Sequence, residues 1–132
     1  MITPDKYVAD VGAFEWGNND CLMFAHGWYK CVTGEDHPSF PVTPYRTEME
    51  AARVLRGVFV QHGVSSVPEL FDMFFDRCDP RDGALAVIET GRKGIVASHL
   101  TGICNSKWSM LTISSKGPVM IPADNAMCWE IG

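Results

Sequence analysis

The chain has 132 residues, 46% hydrophobic and 20% charged, with a net charge of −5. That describes one globular domain over residues 1–132, with enough apolar mass for a core. It excludes a disordered chain, and it lacks the cationic excess of a phosphate-binding surface, so no nucleic acid is expected as partner. No apolar stretch approaches the ~20 residues of a membrane span and no apolar h-region follows Met1, so the expectations are no span and synthesis in the cytoplasm.

A short lead helix is predicted from Pro4 to Val11. Asn18-Asn19-Asp20 then offers strong N-cap residues, and a helix should open there. Cys21, Phe24, Trp28 and Cys31, with Ala25 and Val32 alongside, give that helix an apolar stripe, and Thr33-Gly34 ends it. A proline-rich connection covers residues 37–44. Thr47-Glu48-Met49-Glu50 reads as a capping box opening a second helix that stops at Arg56-Gly57. Ser66-Val67-Pro68-Glu69 repeats the signal, and Leu70, Phe71, Phe74 and Phe75 supply the buried face of a third long helix. From Asp79-Pro80 onward the texture turns extended: strands at Ala84–Glu89, Ile95–Cys104, Trp108–Ile113 and Val119–Ile121, and a closing segment at Met127–Ile131. Helices first and an antiparallel meander afterwards define an α+β domain.

The five cysteines show no Cys-x-x-Cys pair, which is a poor disulfide framework and points to free thiols. Cys21, His26 and Cys31 are spaced five apart, about 140° off one another on a helix, so no metal site is expected. Cys21 stands out for another reason. It falls in the first turn of a predicted helix, where free N–H groups and the helix dipole favour a thiolate. A nucleophilic thiol needs a base. Of the four histidines, His37 and His62 lie in polar connections, and His26 has the wrong azimuth; His99 sits in an apolar strand able to face that helix. The bland alternatives are a small buried cysteine at a helix start and a strand histidine bonded to a carbonyl.

The run Phe14-Glu15-Trp16-Gly17-Asn18-Asn19-Asp20-Cys21 resembles the aromatic-x-Trp-Gly…Asp-Cys signature of NlpC-type cell-wall peptidases, which are papain-like cysteine hydrolases. It is more similar to a small phage and prophage family of related domains, which shares Thr33-Gly34, Tyr45-Arg46 and a tryptophan near the C-terminus, here Trp129. His99-Leu100-Thr101-Gly102-Ile103 is similar to the His-Val-Gly-Ile strand of the peptidases. The resemblance implies a papain-like fold, N-terminal helices on a C-terminal antiparallel sheet, with Cys21 as nucleophile and His99 as base. It implies peptidoglycan peptide amides as substrate, other phage tail proteins as partners, assembly into the virion tail, and no cofactor. The family's third polar residue follows the histidine by about a dozen positions. That window here holds Ser109, Thr112 and Ser114, with Thr112 the candidate and Asn105 a fallback. Departures are Phe14 where the peptidases carry a tyrosine hydroxyl, Leu22 where they carry a small residue, a reversed Asp82-Gly83, and one extra residue in the histidine strand. These departures support the alternative, a structural or assembly protein of the tail tip. A host-directed acyltransferase or deamidase is a third reading, since fold alone does not set chemistry.

Overall fold

The computed structural model describes residues 3–37, 40, 44–106 and 108–131. Among the described residues four helices precede five strands: α1 Pro4–Val8, α2 Cys21–Thr33, α3 Glu48–His62, α4 Val67–Phe74, β1 Leu85–Glu89, β2 His99–Cys104, β3 Ser109–Ser114, β4 Gly117–Pro122 and β5 Met127–Trp129. The strands form one antiparallel sheet in the order β4-β3-β2-β1-β5, so the domain is α+β. The last strand crosses back to lie beside β1. Most of the expected proline-rich connection falls outside the described residues.

Local chemistry sets the helix boundaries. Asp20, Thr47 and Ser66 each accept a hydrogen bond from a backbone N–H in the first turn of α2, α3 and α4. Gly34 and Gly63 end α2 and α3 in the left-handed conformation, at φ 79° and 68°. Three expectations need correction. Helix α3 runs through Gly57 to His62, because that glycine faces open space and one glycine costs a helix only about 1 kcal/mol. The lead helix stops at Val8, three residues early. The segment from Ile95 to Ser98 is a turn rather than strand: Ser98 N–H reaches back to Gly94 O at 3.1 Å, and β2 begins only at His99. Four consecutive apolar or small residues suit a turn of helix as well as a strand.

Alternation sorts the sheet into two faces. Leu85, Val87 and Trp129 pack with Leu22, Ala25, Leu55, Phe59, Leu70 and Phe71 from the helices. Ile103, Leu111 and Ile113 pack with Phe24 and Trp28 of α2. Each large side chain buried there contributes about 1.5–3 kcal/mol. The opposite face carries smaller residues: Ala84, Ala86, Cys104, Met110, Ala123 and Cys128. Polar ties hold α2 in place. Trp28 Nε1 donates to Gly83 O at 2.8 Å, and Tyr7 hydroxyl donates to Phe24 O at 2.7 Å. Gly27 lets Tyr7 lie close, since a Cβ there would strike the phenol oxygen and the ring would have to shift. Cys31, expected on the apolar stripe, is exposed.

Candidate functional site

Cys21 is the first residue of α2, and Asp20 is the cap that places it. The Asp20 side chain is only 2% exposed, yet it is well supplied with donors. It accepts from Met23 N–H at 3.0 Å, Gly17 N–H at 2.9 Å and the Tyr45 hydroxyl at 2.6 Å. Gly17 has φ 78°, and a Cβ on it would collide with the Tyr45 carbonyl oxygen. The Trp16-Gly17 turn, the Asp20 cap and the Tyr45 segment therefore lock together around the start of α2. Tyr45 enters from 25 residues along the chain, and no local sequence pattern announces that bond.

From this lock Cys21 points at β2. The ladder between β2 and β3 consists of Ile103↔Leu111 and Cys104↔Met110, and it stops there. Thr101 is next in phase to face β3. Its N–H is near enough to the Cys21 sulfur to favour the anion, and its C=O accepts from Thr112 Oγ1 at 2.9 Å. Cys21 is half-buried as a residue, but its sulfur is surrounded by protein, and burial governs it. Burial, reinforced by the nearby Asp20 charge, pushes the Cys21 thiol up to about 11, against the opposing pull of the N–H groups of Thr101, Leu22 and Cys21.

His99 opens β2. It lies opposite Glu89, two residues from Thr101, which lies opposite Val87. Since Val87 and Ile103 face the helices, the alternation puts His99 on the helix side, the side that Cys21 approaches. The half-buried ring has Ser98 Oγ at 2.9 Å from Nδ1. Among the described residues no hydrogen bond joins His99 to Cys21. The two residues share a face and a strand neighbourhood, but the thiol and the ring are not engaged.

Thr112 does not meet the imidazole. It alternates with Leu111 and Ile113, which face the helices, so its side chain leaves on the other face and its hydroxyl is held by the Thr101 carbonyl. The other candidates for a third residue are also engaged elsewhere: Ser109 with Ser106, Ser114 with Gly117 O, and Asn105 with Met120 Sδ. The group on the ring is Ser98, which the sequence reading missed by placing residues 95–98 inside the strand. Phe14 supplies no hydroxyl; its ring meets Trp16 edge-on at 4.8 Å.

A cleft of about 520 Å³ opens beside the lock, between Trp16, Gly17 and Asn18 on one side and Pro44, Tyr45 and Arg46 on the other. A second, of about 550 Å³, lies at the far end of α2 over Trp28, Val32 and Ile131. Neither is lined by Cys21 or His99. Among the described residues no group of three or more His, Cys, Asp or Glu could hold a metal ion, and no helix is long and apolar enough to cross a membrane.

Residues 6–131 match the family described as a domain of unknown function, DUF6950. The chain belongs to this family. No curated protein and no solved structure matches it. The family covers the Asp20 lock, Cys21 and the whole sheet, so the architecture around α2 and β2 is that of a DUF6950 domain.

Proposed function

We propose that this DUF6950 domain is a papain-like cysteine hydrolase of the NlpC type, carried on a phage or prophage tail, that cleaves peptide amides of peptidoglycan. The observation that carries the reading is the placement of Cys21 at the mouth of α2 against Thr101, with His99 two residues away on the same face. In the reaction the Cys21 sulfur attacks the amide carbonyl, and His99 takes the thiol proton and passes it to the leaving amine. The N–H groups of Cys21 and Leu22 hold the oxyanion, and water then releases the acyl group from sulfur. The present arrangement is a resting one. With the thiol pushed up by burial, the sulfur rests un-ionised at neutral pH. Turning His99 from Ser98 onto the sulfur would supply the cation that lowers it.

That same thiol favours a second reading: a tail-tip assembly protein that keeps the framework without efficient turnover. Purified sacculi separate the two. The hydrolase releases soluble peptides with new amino termini, and Cys21→Ser and His99→Ala both abolish release. Release by the parent no greater than by Cys21→Ser leaves the assembly reading, and absence of the protein from purified particles removes the tail from either.

A further inference from the structure

On the sheet face away from Cys21, three of the free thiols lie together: Cys104 and Cys128, each 2% exposed, and half-buried Cys78. The Cys78 segment runs antiparallel to β5. Arg77 bridges Trp129, Cys78 N–H donates to Cys128 O at 3.0 Å, and Glu130 N–H donates to Asp76 O at 2.9 Å. That register sets Cys78 across from Cys128, whose thiol also meets the Cys104 thiol in the same cluster. The pairing is firmly held. Asp72 forms an ion pair with Arg77 Nε at 2.8 Å and accepts from Trp129 Nε1 at 2.9 Å, while the Arg77 guanidinium lies 4.9 Å from the Trp129 ring centre. Directly opposed residues in an antiparallel pair have Cα atoms about 4.5–5.5 Å apart, inside the roughly 4.4–6.8 Å that a disulfide spans.

We propose that Cys78 and Cys128 are a disulfide-forming pair, closed by a small-molecule disulfide such as oxidised glutathione. The Cys78 thiolate attacks one sulfur of the reagent and expels a thiolate, leaving a mixed disulfide. Cys128 sulfur then attacks Cys78 sulfur and expels the second thiolate. Two electrons pass to the reagent, which leaves as two thiols, and the cysteine pair gives up two protons. Cys78 is the entry point because it alone of the three keeps appreciable exposure. Burial raises the Cys78 thiol, so closure is slow at neutral pH and quickens as the pH rises. The bond ties β5 to the chain ahead of β1 and encloses β1 to β4 in one covalent loop. Neither Cys21 nor His99 takes part, so the proposal is independent of the hydrolase reading.

The test treats the folded protein with oxidised glutathione, blocks remaining thiols, and maps peptides without reduction. The expected product is a Cys78–Cys128 cross-linked peptide, an intact mass lower by two hydrogens, and a thermal midpoint raised by about 5–10 °C that reverts with dithiothreitol. Cys78→Ser should abolish the cross-link while Cys104→Ser leaves it. Glutathione adducts without a cross-link, a cross-link that joins other cysteines, or no reaction at Cys78 in the folded chain each overturn the proposal, and these are read on the parent protein whether or not the variants fold.

Discussion

Tyr45→Phe removes one oxygen from the lock around α2 and leaves the ring in place. The hydroxyl donates to Asp20 Oδ2 at 2.6 Å, and both residues are nearly inaccessible, Tyr45 at 4% and Asp20 at 2%, so water cannot take its place. A hydrogen bond to a charged group contributes about 1.5–3 kcal/mol, and Asp20 keeps Gly17 and Met23 as donors, which sets the expected loss at about 2 kcal/mol. With a urea slope of about 1–3 kcal/mol per molar, the unfolding midpoint should fall by about 1 M with the slope unchanged. Equilibrium unfolding followed by tryptophan fluorescence reads both. A midpoint within about 0.2 M of the parent would mean that Asp20 is not held by Tyr45, and the physical account of the lock would fail.

Thr112→Val keeps the shape of the side chain but strands the Thr101 carbonyl, at a cost of about 1–2 kcal/mol in urea unfolding. The His99 ring resonances in NMR spectra should not move, because Ser98 is the group on the ring; altered ring resonances would restore Thr112 as its partner. Acid should destabilise the domain through His26 and His37. Burial lowers both, with the neighbouring His26 also acting on His37, and on His26 the Asp36 charge only partly offsets burial. The unfolded chain therefore binds protons first, so stability is complete above the ordinary value of 6.5 and is lost as the pH falls through the depressed folded values. Thermal midpoints from pH 8 to 5 should decline below about 6.5, and His26→Gln should flatten the decline. An unchanged slope in that variant argues that other groups carry the acid response.

The helix starts were legible because capping is local: Asp20, Thr47 and Ser66 each act on a backbone group three residues ahead. Cys21 and His99 were legible as candidates for a similar reason, one marked by its cap and the other by its strand. The tertiary contacts were not. Tyr45 reaches Asp20 across 25 positions of the chain, and no spacing encodes that meeting. Thr112 illustrates the opposite failure. A polar residue at a suitable distance after the histidine was visible, but the face it takes depends on where β3 begins its pairing, and one residue reverses the answer. Ser98 was hidden by another boundary, the start of β2, since a strand starting at Ile95 would have sent its side chain away from its neighbour.

Thr101 is where the two functional readings meet. A sheet built only for packing gains by completing its ladder, yet β2 gives up its next pair with β3 and leaves the Thr101 N–H facing a sulfur. A neutral thiol is a weak acceptor for that donor; a thiolate is a strong one, because bonds to an ionised partner are about twice as strong as neutral ones. The N–H groups of Cys21 and Leu22 converge on the same atom. Those three donors favour the anion, but burial outweighs them and keeps the thiol neutral. On the proposed hydrolase reading, the cation that would tip this balance is His99, which lies on the same face of the sheet.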